Sequence, residues 1–271
     1  YLNAIAICAL LNSNGHAYEF IDAAEMIQFD DSCTLNYSET IQSIKSTIAS
    51  SSKKEVIIPG FYGRNKNTNI INASEKIVTF SRGGSDVTGA LVAAALSDEY
   101  NMVYENWTDV DGIYNADPKI CKNATVWNTL TYDHVHALSL AGANVFHPDA
   151  IYPVQINNVK TNIRNTNKPW KENGTWIVND LLKRNNINCK DQIAIGVSSI
   201  VDKNELCVVS SNVKNNNVVR NIMVETLEHL NMKHTIINNE TIPHPLIVNM
   251  KLEEKHDIDN AVQAVFSKLF L

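Results

Sequence analysis

The 271-residue sequence has no run of about eighteen consecutive apolar residues, the length a helix needs to cross a bilayer, so no membrane partner is expected. It has no excess of basic residues: 23 Lys and Arg stand against 29 Asp and Glu, a formal net charge of -6. Without a basic face, no nucleic acid is expected as the main partner. The five cysteines, Cys8, Cys33, Cys121, Cys189 and Cys207, are odd in number, irregularly spaced and without a Cys-x-x-Cys pair. That usage argues against a disulfide framework and fits reduced thiols in a cytoplasmic compartment. Glycine, with 10 residues, and proline, with 7, are too scarce for a collagen-like or linker-type polymer. The P-loop pattern and the Gly-x-Ser-x-Gly elbow are both missing. No His, Cys, Asp or Glu spacing resembles a zinc site, so no metal ligand is predicted.

What is present is an ordinary globular composition, 44% hydrophobic and 19% charged, enough for one large α/β unit and a smaller second one. Tyr1-Leu2-Asn3 enters an apolar-periodic helix with no initiator Met and no cap, which implies that residues precede it in the natural chain. Apolar spacing predicts helices over residues 2–12, 38–50, 87–97 and 132–139, with a short one from Asp149. Strands are expected over 17–21, 55–59, 77–80, 102–108 and 160–164. Residues 60–63 read as a loop and 64–77 as a polar surface excursion. The alternation predicts a mostly parallel sheet covered on both faces, with 55–59 and 102–108 as strands of one sheet. After a polar boundary at 179–191 the pattern changes. Strands at 193–200 and 205–210, a helix at 218–230, strands at 234–237 and 246–252, and a helix at 257–270 suggest a small ferredoxin-like module.

Three stretches carry chemistry. The first is Ser81-Arg82-Gly83-Gly84-Ser85-Asp86, between a strand and an Ala-rich helix. Two glycines let the backbone approach a ligand, the helix start favours an anion, and Arg82 can fork onto a carboxylate or phosphate. The same residues also suit a tight turn with Ser85 or Asp86 as N-cap. The second is 107–114 (WTDVDGIY) with Asp117-Pro118-Lys119, at the C-terminal end of a strand, where open α/β sheets bind ligands. Thr108 and Asp109 can hydrogen-bond a nucleotide, Tyr114 can pack on a base and Lys119 can meet phosphate; a plain βα loop with an Asp-Gly turn fits equally. The third is 142–148 (GANVFHP), where His147 reads as a ligand or, more simply, as a structural histidine.

In combination, 80–88 (FSRGGSDVT), 107–114 (WTDVDGIY) with Asp117-Pro118, and 142–148 (GANVFHP) resemble the aspartate kinases of the amino-acid kinase superfamily. Tyr1-Leu2-Asn3, 20–23 (FIDA), 60–63 (GFYG) and 160–169 followed by Gly174-Thr175 match in the same order. The resemblance covers about residues 1–178 and implies a three-layer αβα sandwich, an amino-acid kinase domain over 1–178, a linker over 179–192 and an α+β ACT-like regulatory domain over 193–271. It implies that Phe61, Arg82, Gly83, Gly84, Ser85 and Asp86 hold L-aspartate, with Arg82 and Asp86 at the catalytic centre. Thr108, Asp109, Tyr114, Lys119, Asn144 and Val145 are then expected to bind ATP, with Mg2+. Departures are visible. The family's N-terminal Lys-Phe-Gly-Gly segment, whose lysine stabilises the transferred phosphate, is absent, as is the Ser-x-Gly-Glu that would immediately precede Tyr1. The lysine common in the third motif is Asn144, and Lys119 stands where an Arg is common, keeping charge without the fork. The implied activity is ATP-dependent phosphorylation of the aspartate side chain to 4-phospho-L-aspartate, the first step toward lysine, threonine and methionine. Inhibition by lysine or threonine and a homodimer or larger assembly through ACT modules are implied with it. The missing lysine segment leaves a second reading, a non-catalytic amino-acid sensor on the same fold.

Overall fold

The computed structural model describes residues 1–65, 76–143, 146–170, 174–179, 192–237, 244–253 and 258–271. The chain divides into two compact units, Tyr1–Tyr104 with Asp149–Val159, and Glu105–Pro148 with Lys160–Leu271. No helix among the described residues is long and apolar enough to cross a membrane.

The first unit runs α1 (Leu2–Ser13), β1 (Tyr18–Phe20), α2 (Ala23–Met26), β2 (Gln28–Phe29), α3 (Tyr37–Ala49), β3 (Glu55–Ile57), β4 (Tyr62–Asn65), β5 (Lys76–Thr79) and α4 (Ser85–Leu96). Gly15, at φ 88°, lets the chain turn after α1, and Asn12 ties the helix to β1 by donating to the Tyr18 carbonyl at 3.0 Å and accepting from its N–H at 2.8 Å. Asp22 caps α2 through the Ala24 N–H at 2.9 Å. Asn36 caps α3 by accepting the Glu39 N–H at 3.2 Å, and its side-chain amide donates to the Glu39 carboxylate at 3.1 Å. β1 pairs with β3 in parallel, Phe20 opposite Ile57, and the intervening elements supply the crossover that a parallel pair requires. β2 pairs in parallel with β4, which pairs antiparallel with β5. Met26, Ile27, Ile44 and Leu91 form the dry centre of the unit.

The chain crosses into the second unit within β6 (Val103–Thr108) and continues through β7 (Thr129–Thr131) and α5 (Tyr132–Leu140). It then runs along α6 (Pro148–Ile156), most of which belongs to the first unit. β8 (Lys160–Asn165) and β9 (Thr175–Val178) follow, and the sheet order is β6–β8–β9–β7. β8 runs antiparallel to β9, and β7 runs parallel to it. A second sheet comprises β10 (Ala194–Ile200), β11 (Glu205–Ser210), β12 (His234–Ile237) and β13 (Ile247–Leu252), with α7 (Asn216–His229) and α8 (Ile258–Phe270). Its order is β10–β11–β13–β12, antiparallel throughout. A βαββαβ ferredoxin-like unit has its last strand beside its first. Here that edge is taken by β10, which precedes β11 in the chain. Leu206, Val208, Met223, Val262 and Val265 lie in the core that the two helices close over the sheet.

Three expectations need correction. Tyr62 and Gly63 are not loop and Arg64, Asn65, Lys76 and Ile77 are not a surface excursion: they form the β4–β5 hairpin, held because the Arg64 N–H donates to the Ile27 carbonyl at 3.0 Å and Gly63 packs where any Cβ would lie 2.5 Å from that same oxygen. Residues 66–75 lie outside the described part. β3 and β6 do not share a hydrogen-bonded sheet; three-residue β3 is paired with β1, and β6 neighbours β8. The pairing is mixed rather than mostly parallel, because β4–β5 and β8–β9 are antiparallel.

Candidate active site

In the first unit the predicted substrate residues gather at the N-terminus of α4. The helix starts at Ser85, two residues earlier than its apolar pattern suggests, with Gly84 at the cap position and no side-chain cap, so the N-cap reading of Ser85 or Asp86 does not hold. Each glycine has a local cause. Gly83 sits at φ 88°, and a Cβ on Gly84 would fall 2.1 Å from the Phe80 Cβ. Phe61 is brought beside them although it is more than twenty residues away. Its N–H donates to the buried Thr88 hydroxyl at 3.2 Å, and its carbonyl accepts the Phe80 N–H at 2.9 Å. Gly60 lets this turn lie against the helix start, since a Cβ there would stand 3.1 Å from the Ser85 Cα. Phe61 itself adopts φ 88°, rare for a residue with a side chain, and leaves its ring 38% exposed.

Arg82 and Ser85 are exposed and Asp86 is half-buried at the same helix start. Arg82 makes no hydrogen bond or ion pair among the described residues, so its guanidinium is available to an anion beside the helix start, where the Asp86 N–H is already taken by the Gly83 carbonyl at 3.1 Å. Two supports escaped the sequence reading. Thr88 fixes Phe61, and the Tyr104 hydroxyl donates to the Asp86 carbonyl at 3.2 Å, its ring packed where Gly89 has no side chain. Both look like ordinary helix and strand residues in the sequence.

In the second unit, β6 ends at Thr108, whose carbonyl accepts the Thr166 N–H at 2.8 Å and hydroxyl at 3.0 Å. The Thr108 hydroxyl donates to the exposed Asp109 carboxylate at 3.3 Å. Asp111 is engaged, with the Lys168 ammonium at 2.7 Å and the Asn165 amide at 2.6 Å, so the loop carries a cation that the sequence reading did not single out. Gly112 lies at φ 147°, and a Cβ there would meet the Thr175 hydroxyl at 2.6 Å, so the position has no room for a side chain. That hydroxyl accepts the Ile113 N–H at 2.8 Å and donates to the Trp127 carbonyl at 2.6 Å, which anchors Tyr114 next in the chain. Tyr114 is half-buried and bridges to Val126; Lys119 is exposed after a turn in which its N–H donates to Asp117 at 2.8 Å. On the outer side of β6, Arg164 lies 4.4 Å over the Trp107 ring and pairs with Glu105 at 2.8 Å. Asn144 and Val145 lie outside the described residues, and His147 is half-buried beside them.

The donor sets differ between the two places. The first offers an unpaired guanidinium, helix N–H groups and a half-buried carboxylate, which suits a small zwitterion. The second offers a hydroxyl, an exposed carboxylate, an aromatic ring and a lysine, which suits a nucleotide. Among the described residues no group of three or more His, Cys, Asp or Glu is arranged to hold a metal. An all-protein metal cage therefore does not fit. A Mg2+ ion carried by phosphates does, since it asks for only one or two protein carboxylates, and Asp109 offers one.

Residues 1–165, more than half of this α/β chain, match the amino acid kinase family, to which the chain belongs. Its similarity is to aspartokinases. It is 40% identical over 133 residues to Aspartokinase 3 of Bacillus subtilis, covering 49% of this chain and 26% of that protein. It is 32% identical over 185 residues to the aspartokinase of Rickettsia felis, covering 68% and 42%. The fold superposes on the crystal structure of E. coli aspartokinase III in complex with aspartate and ADP (R-state) with a TM-score of 0.78 at 16% identity, over 99% of this chain and 73% of that one. The chain thus spans well under half the length of these two curated relatives.

Proposed function

We propose that the protein phosphorylates the side-chain carboxylate of L-aspartate with ATP, yielding 4-phospho-L-aspartate and ADP. What carries this reading is the 40% identity to an aspartokinase over 133 residues. A helix start dressed with Phe61, Arg82, Ser85 and Asp86 supports it. A carboxylate oxygen of aspartate attacks the γ-phosphorus, the bond from that phosphorus to the β–γ bridging oxygen breaks, and ADP keeps the electron pair. Such transfer needs alignment and charge stabilisation more than covalent help. Arg82 grips the α-carboxylate of aspartate, Asp86 faces its ammonium group, and Gly83, Gly84, Ser85 and Phe61 shape the pocket. Thr108, Asp109, Tyr114 and Lys119 hold the nucleotide, joined by Asn144 and Val145. Mg2+, when bound with ATP, neutralises phosphate charge, with Asp109 as the protein carboxylate available to it. Residues 1–178 form the kinase domain, joined by 179–192 to an ACT-like regulatory domain, 193–271, that answers to lysine or threonine and pairs with a second copy. The reduced thiols fit a cytoplasmic protein.

The test is steady-state kinetics on the full-length protein, trapping the acyl phosphate as its hydroxamate. Arg82→Ala removes hydrogen bonds to a charged group worth about 1.5–3 kcal/mol, so the aspartate KM rises roughly 10- to 150-fold while the ATP KM moves little. An unchanged aspartate KM would remove Arg82 from the substrate site, and no hydroxamate from the unaltered protein would end the reading altogether.

A further inference from the structure

The segment that carries Tyr114 and Lys119 is not a free surface loop. Ala116 and Cys121, 5% and 4% exposed, belong to the same apolar core as Val219, Met223, Val262, Val265 and Phe266 of the C-terminal sheet-and-helix module. Asn115 is the junction. It is buried, its N–H donates to the Thr125 carbonyl at 3.0 Å, and its side-chain oxygen accepts the Thr125 N–H at 2.8 Å. Its own carbonyl accepts the Val197 N–H of β10 at 2.9 Å. β10 comes that close because it presents Gly196, where a Cβ would stand 2.7 Å from Leu138 and 3.3 Å from the Asn115 oxygen. Beyond Lys119 the chain makes a turn closed by the Ile120 and Cys121 N–H groups on the Asp117 carbonyl, at 3.0 and 2.8 Å. The Ile120 carbonyl at that turn accepts the side-chain N–H of Gln263, from α8, at 2.7 Å. At the far end, the Trp127 indole donates to the Ile195 carbonyl of β10 at 2.8 Å. The two groups assigned to the nucleotide are therefore mounted between fixed points that the C-terminal module supplies.

We infer that Asn115 and Gln263 are positioning residues for the nucleotide, through which β10 and α8 set where Tyr114 and Lys119 stand. The inference rests on the assignment of Tyr114 and Lys119 to ATP.

Gln263 is the better probe, because it is exposed on a helix, whereas Asn115 is buried and its loss endangers folding. In the full-length protein, Gln263→Met keeps helix propensity and length but removes the donor. The ATP KM is expected to rise roughly three- to tenfold with the aspartate KM and the melting temperature unchanged, as for the loss of one ordinary hydrogen bond. Gln263→Lys, which restores an N–H donor, should return the ATP KM most of the way. Cys121 gives a second readout that needs no nucleotide. Burial pushes its thiol up to about 11, so it is sluggish toward a disulfide reagent, and its labelling, followed by peptide mass, should quicken in Gln263→Met and slow again in Gln263→Lys. Unmoved ATP KM and unmoved labelling overturn the inference. So does a parallel rise of both KM values with a lower melting temperature, which marks general loosening. Tyr114→Ala separates the two layers. If it leaves the ATP KM untouched while Gln263→Met still quickens Cys121, the inference falls through the nucleotide assignment and not through the mounting.

Discussion

Phe61 occupies a backbone region that costs a residue with a side chain about 1–2 kcal/mol, and it does so at φ 88° with its N–H and carbonyl both satisfied by neighbours of α4. Glycine would hold the same turn without that cost. The ring, 38% exposed, thus stands against the local backbone preference, on a residue whose N–H is tied to the helix that begins just after Arg82 and carries Asp86. Phe61→Gly is therefore expected to leave the melting temperature unchanged or slightly higher while raising the aspartate KM several-fold. A lower melting temperature with unchanged aspartate KM would make the ring a packing residue. Gly84 is the opposite case. A side chain there meets the Phe80 Cβ at 2.1 Å, so its small size is a demand of packing before it is a demand of any ligand.

α5 is fastened to the C-terminal module through histidine. His134 is 6% exposed; its Nε2 lies 3.0 Å from the Ser211 carbonyl, to which it donates, and its Nδ1 is buried without a hydrogen-bond partner among the described residues. Burial holds this imidazole below the usual 6.5, against smaller opposing pulls from the hydrogen bond to the Ser211 carbonyl and then from Asp133. His244, whose ring meets His136 edge-on at 5.3 Å, is lowered by burial and then by that neighbour. Below about pH 6.5 the unfolded chain binds protons that the folded one refuses, so the stability these groups contribute is full above that value and is lost as pH falls toward their lowered folded values. The denaturation midpoint should drop between about pH 7.5 and 5.5, and His134→Gln should flatten part of that slope; an unchanged slope would mean that the ring is not buried neutral. Elements such as α7, expected over 218–230 and found at Asn216–His229, are legible because helix periodicity is a local property of the chain. The β4–β5 hairpin is not, because only Gly63 of β4 is buried and its place is decided by the Ile27 carbonyl, far back in sequence. The same division runs through the site. Arg82, Gly83, Gly84, Ser85 and Asp86 announce themselves as a string, while Thr88, Tyr104 and Lys168 take part only through partners that folding brings to them.

At the scale of the whole molecule, the C-terminal sheet ends in β10 on one side, whose outer edge is engaged at Ile195 and Val197 by Trp127 and Asn115, and in β12 on the other, whose outer edge has no strand partner among the described residues. Unpaired edges invite a second copy, and sedimentation of the full-length protein is expected to give a dimer or larger species. A monomer at every concentration would leave the module without that role. The core that joins Ala116 and Cys121 to Val262, Val265 and Phe266 also sets a clock on biosynthesis. Val265 follows Cys121 by about 140 residues, so at a synthesis rate of about 5–20 residues per second it leaves the ribosome roughly 7–30 s later. For that interval an apolar ledge stands wet in the nascent chain with nothing to close over it. Slowing translation between the two points should therefore lower the soluble yield while leaving the stability of every finished molecule unchanged.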